Sequence, residues 1–161
     1  MRLQVLLLAF FIGMLTSVGS VADESQKPEL NFPADIKPLL KKEMIAVEKG
    51  MQALLSSIAK GDWEKTAIIG KQIQASYIMK QSLTAEQKKQ LHHSLPEQFV
   101  KLDHSFHQYA GMLAHAAEVK NADVINFYFY KMNDSCVQCH SRYAQERFPA
   151  FATKDEHHPP H

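Results

Sequence analysis

Apolar positions along this chain recur at helical rather than strand-like spacing. From Leu40 they fall at Met44, Val47, Met51, Leu54 and Ile58, in steps of 4, 3, 4, 3 and 4, which is one stripe on one helix face. The spacing predicts a first helix from near Asp35 to the stop at Gly61. Asp62 caps a second helix whose apolar face takes Trp63, Ala67, Ile73 and Tyr77, with Ile69 and Ile78 beside it. Gly70 falls on that face, where it costs helix propensity and permits close packing. The pattern fades at Gln81-Ser82. Thr84-Ala85-Glu86-Gln87 then has the form of a capping box, opening a short helical piece that ends before Pro96.

Pro96 and Glu97 suit the first turn of a third helix. This helix carries Phe99, Leu102, Phe106, Ala110, Leu113 and Ala117, and closes at Lys120-Asn121. Asn121 or Asp123 caps a fourth, read from Val124 to about Arg147, with Pro149 ending it. Its stripe is Ile125, Tyr128 or Phe129, Met132, Cys136, Cys139 and Tyr143. Four long helices with short or modest connections predict an all-α fold, an antiparallel four-helix bundle.

The two ends read differently. Arg2, the apolar run Val5 to Leu15 and the small-residue end Ser20-Val21-Ala22 make residues 1–22 a secretory signal peptide. The run is 11 residues, short for a bilayer span. An uncleaved anchor is the alternative. The bundle is expected over residues 23–150, and residues 151–161, with no core-forming pattern, are expected as a disordered tail. Cleavage at Ala22 takes the formal net charge from +1 to zero, because Arg2 is the one charged residue removed. A neutral chain lacks the basic surplus that nucleic acid demands. Two cysteines are too few for a disulfide scaffold, but export would place them in an oxidising compartment, the periplasm.

Those two cysteines stand in CVQCH, residues 136–140. On a helix Cys136 and Cys139 share a face, and His140, four beyond Cys136, lies over it too. Three chemistries compete. A thioredoxin-like dithiol wants its pair at a helix start in a βαβ setting, whereas this pair sits late in a helix. A structural zinc site needs four ligands, one more than the motif offers. C-x-x-C-H is the attachment signature of c-type haem: two thiols one turn apart match two vinyl groups on one ring edge, and the histidine reaches the iron. The implied cofactor is one covalent haem c. Phe127, Tyr128, Phe129 and Tyr130 before the motif, and Trp63, Tyr77, Phe99 and Phe106 on other helices, suit its burial or an ordinary core.

Four helical stripes with CVQCH near the C-terminus, followed by Ser141-Arg142-Tyr143, resemble the cytochrome c-prime family, the class II cytochromes c. The likeness covers about residues 35–148. It implies thioethers at Cys136 and Cys139 and His140 as proximal iron ligand. Tyr143 matches an aromatic position that the family often has three residues after the histidine. Many members carry arginine or lysine four residues after it. Here that position is Ala144, with Arg142 and Arg147 as the neighbouring basic residues.

The resemblance also divides the function by what occupies the iron's other side. A methionine there implies a low-spin, six-coordinate electron carrier. An apolar residue implies a five-coordinate iron that binds gases such as nitric oxide. Counting along antiparallel helices places Met44 at the facing level of the first helix, on its inward stripe, as the candidate sixth ligand. Met51, two turns deeper on the same stripe, ranks below it. His107, near the same level on the third helix, is the alternative ligand. His104 beside Asp103, with His92, His93 and His115, reads as surface. His157, His158 and His161 lie in the tail, where they offer at most weak surface metal binding.

The leading expectation is a periplasmic one-electron carrier, with gas binding second and a haem-free helical binding protein third. The partners implied are redox proteins or small gases, with no membrane span after cleavage and a homodimer of the kind the family often forms. No paired carboxylates or nucleophile–base spacing suggest an enzyme.

Overall fold

The structure, a computed structural model, describes Leu30 and residues 32–152. The expected signal peptide, and the tail beyond Ala152 with its three histidines, lie outside the described residues. Among the described residues every regular element is helical, and no strand occurs. The elements are α1 (Lys37–Ala59), α2 (Trp63–Gln74), α3 (Met79–Ser82), α4 (Ala85–Ser94), α5 (Glu97–Glu118) and α6 (Ala122–Tyr143), followed by a 3₁₀ turn at Pro149–Phe151. No described helix is long and apolar enough to cross a membrane.

Helix ends fall largely where the local chemistry places them. Gly61 takes the reversal after α1 at φ 67°. Asp62 Oδ1 accepts the Lys65 N–H at 3.1 Å, and Asn121 Oδ1 accepts that of Val124 at 3.1 Å. The capping box at Thr84 is complete, with each of Thr84 and Gln87 accepting from the other's backbone N–H. Pro96 takes the cap position of α5, one residue before the first turn. The fourth long helix departs from expectation at its end. It stops at Tyr143 rather than near Arg147, and the next residues turn back.

The packing is centred on α5, which lies against both α2 and α6, while α1 packs mainly on α2 and only lightly on α6. The α5–α6 pair is antiparallel, with Phe99 against Tyr143 (5.4 Å between ring centres) and Tyr109 against Tyr128 (6.2 Å). Gly70 lets α2 close on α5 as its position suggested. A Cβ there would sit 2.9 Å from the Ala110 carbonyl oxygen and 3.0 Å from the Ala114 methyl. Leu54, Ile73, Leu113, Ile125 and Met132 are fully buried, each adding about 1.5–3 kcal/mol of hydrophobic stabilisation.

The inward face of α1 is rotated from the expected stripe. Buried on it are Glu43, Val47, Gly50, Leu54 and Ser57. Met51 and Ile58 are half-buried flanks, and Met44 is 41% exposed. The small residues Gly50 and Ser57 draw α1 toward α2. A Cβ at Gly50 would lie 2.6 Å from Tyr77 Oη, and the buried Ser57 and Thr66 hydroxyls are 2.9 Å apart.

The buried charge on this face has a structural task. Helix α2 ends at Gln74, three residues short of Tyr77 in the expected stripe, Ser76 follows at φ 60°, and the chain restarts at α3. Glu43 supplies the acceptors this break requires. Its Oε1 accepts from the Ser76 hydroxyl at 2.9 Å and the Tyr77 N–H at 3.0 Å. Its Oε2 accepts from the Ile78 N–H at 2.6 Å and the Met79 N–H at 3.0 Å. One carboxylate thereby satisfies the start of α3 from a neighbouring helix.

Candidate functional site

CVQCH occupies the last turns of α6, where the apolar stripe continues to the helix end. Cys136 and Cys139 are half-buried, and neither forms a disulfide. Cys136 packs against the main core. Burial raises the thiol pKa of Cys136. Cys139 is pushed up to about 11, first by burial, then by the negative charges of Asp103 and Cys136. Both are therefore protonated thiols at neutral pH, unlike the depressed thiols of dithiol redox catalysts.

His140 lies in the final turn and is half-buried. Its pKa is lowered, mainly by burial and secondarily by the positive charge of Arg147, so a neutral imidazole is favoured. The residues after Tyr143 account for this setting. The Ala144 carbonyl accepts the N–H groups of Arg147 and Phe148, each at 3.0 Å, and folds the chain back. The Phe148 ring then stacks on the imidazole, with centres 4.4 Å apart and planes within 19°. The Arg147 guanidinium lies over the Phe148 ring at 5.8 Å.

Aromatic rings wall the same end of the fold. Tyr143 meets Phe99 edge-on, and Phe99 meets Phe32 at 5.8 Å. The expected level of His107 is also close to the motif, since Asp103, one turn before it on α5, acts electrostatically on Cys139. His107 itself is buried. Its Nδ1 is 2.6 Å from the Ile73 carbonyl oxygen, which assigns Nδ1 as the donor, and its Nε2 is 3.6 Å from Asp103 Oδ1. The ring ties α5 to the end of α2.

The structure thus brings Cys136, Cys139 and His140 together and sets Asp103 and His107 nearby. The expected inward position of Met44 is corrected. Its side chain is on an exposed flank, and the inward position beside it belongs to Glu43. The cause is the rotation of α1 toward its small residues. Phe148 as the ring stacked on the histidine, and Arg147 as the charge beside it, had no signal in the periodicity, because they act from a reversal after the helix. Among the described residues no group of three or more His, Cys, Asp and Glu side chains is arranged to hold a metal ion by itself.

No protein-family model, curated protein or solved structure matches this chain.

Proposed function

We propose that this chain is a periplasmic c-type cytochrome of the cytochrome c-prime kind, a four-helix bundle carrying one covalent haem and passing single electrons to partner proteins. The observation that carries the reading is the donor set at the end of α6. Two half-buried thiols one turn apart stand beside a half-buried imidazole, on a helix face lined by aromatic rings. These residues fit haem. Each thiol would add across one vinyl double bond, sulfur to one carbon and the proton to the other, with no oxidant consumed. The lowered pKa of His140 suits it to offer a neutral nitrogen to iron. Haem would supply the one-electron couple, while the chain sets its polarity and axial ligation.

A second reading, a five-coordinate haem that binds a small gas, is favoured by the placement of the two sixth-ligand candidates. Met44 is 41% exposed, and His107 Nε2, the ring nitrogen not engaged by the Ile73 carbonyl, lies 3.6 Å from Asp103 Oδ1.

The test is expression with export and a pyridine haemochrome assay. The expected result is a c-type haemochrome in the wild type, lost in the Cys136→Ala/Cys139→Ala double variant. A wild-type protein without haem refutes the proposal. Among haem-loaded forms, a low-spin spectrum with a methionine-to-iron band that disappears in Met44→Ala supports the carrier. A high-spin ferrous form that takes up carbon monoxide supports the gas binder.

A further inference from the structure

Iron-ligating histidines are normally held in orientation by a hydrogen bond from the ring nitrogen that does not bind metal. No described residue gives His140 this device. Among the described residues its imidazole makes no hydrogen bond, and the ring contact made to it is the Phe148 stack, at 4.4 Å and 19°. The stack is built rather than incidental. Helix α6 ends at Tyr143, and Ala144 leaves helical geometry at φ −134°. The Ala144 carbonyl then anchors the Arg147 and Phe148 N–H groups. Gln145 Nε2 donates to the Ser141 carbonyl at 2.6 Å, fastening the returning segment to the last turn. The 3₁₀ turn Pro149–Phe151 follows directly, with Phe151 edge-on to Phe148 at 6.5 Å.

We propose that Phe148 is a positioning residue for the axial ligand: its ring fixes the plane of the His140 imidazole and keeps water from one of its faces. The proposal rests on the haem reading above. A flat aromatic face restricts rotation of a second ring packed on it, and does so without adding charge. It supplies by shape the restraint that no hydrogen bond from a described residue provides. The histidine then holds its orientation toward iron, and the ligand stays in an apolar setting that disfavours the more highly charged ferric state.

The experiment uses the exported full chain as wild type, Phe148→Ala, Phe148→Tyr and, as a control at an exposed aromatic, Phe127→Ala. Haem attachment is read by pyridine haemochrome, folding by circular dichroism, ligand orientation by ferric electron paramagnetic resonance, and the couple by potentiometric titration. Phe148→Ala is expected to keep its haem and helicity, broaden and shift the ferric resonance, and lower the midpoint potential. Phe148→Tyr should restore both readouts, and Phe127→Ala should leave them at wild-type values. Haem-loaded Phe148→Ala with an unchanged resonance and midpoint overturns this proposal alone. A wild type without a haemochrome overturns the haem reading, and the positioning role with it. If Phe148→Ala does not fold, Phe148→Leu takes its place, since leucine fills the space without a flat face. The same two readouts should move, and wild-type values would overturn the proposal.

Discussion

Glu43→Ala tests how the break between α2 and α3 is held. A surface glutamate replaced by alanine usually changes stability by no more than about 0.5 kcal/mol. Glu43 is 3% exposed, and its carboxylate accepts four hydrogen bonds, from the Ser76 hydroxyl and the Tyr77, Ile78 and Met79 amides. Hydrogen bonds to a charged group contribute about 1.5–3 kcal/mol each, and a buried donor left unpaired costs about 1–3 kcal/mol. Residues 77–79 are half-buried, so water can recover part of that loss. The net expected cost is about 3–4 kcal/mol. For a domain of about 120 residues this corresponds to a fall of roughly 12–16 °C in Tm. Glu43→Gln should fall between wild type and alanine, because its amide oxygen can serve two donors while its NH₂ confronts the other two. The assay is thermal and urea unfolding, with hydrogen exchange at residues 77–79 as the local readout. A Glu43→Ala loss below about 1 kcal/mol, with unchanged exchange at those amides, would show that the carboxylate does not hold the break.

Gly70→Ala should destabilise the fold by about 1–2 kcal/mol despite its better helix propensity, because the added methyl meets the Ala110 backbone and forces α2 from α5; urea unfolding measures it. In the haem-free chain Cys139, with its pKa pushed up to about 11, should alkylate at pH 8 about two orders of magnitude more slowly than an ordinary thiol of pKa about 8.5, as followed by mass spectrometry. Tyr77, whose pKa is raised above 10.0 by burial and then by Glu43, should make stability fall at high pH. Above pH 10 the unfolded chain releases the phenolic proton while the folded chain retains it, so the folded state binds more protons and loses ground as pH rises. Tyr77→Phe should flatten that alkaline decline in Tm.

Much of the fold was legible locally. Apolar spacing, Asp62, the Thr84 box and Asn121 are signals within a few residues of the helix ends they mark, and those ends stand where they point. CVQCH was equally legible, since spacing on one helix brings its three side chains together whatever the neighbouring helices do. The rotation of α1 was not legible. Hydrophobic periodicity favours Met44, yet close packing against α2 favours the face bearing Gly50 and Ser57, and only the partner helix reveals that preference. A glutamate at a core-facing position was the available hint.

Helical class, most helix starts and the shared helix of Cys136, Cys139 and His140 could be read from the chain alone, because each depends on groups within a turn or two of one another. Packing between segments set which face of α1 turns inward, how Glu43 serves the Ser76 hydroxyl thirty-three residues onward and the amides that follow it, and that Phe148 lies on His140. These depend on where separate segments meet. Backbone donors left by a helix break, and a ring face left bare at a helix end, select their partners by proximity in space, which no periodicity along the chain encodes.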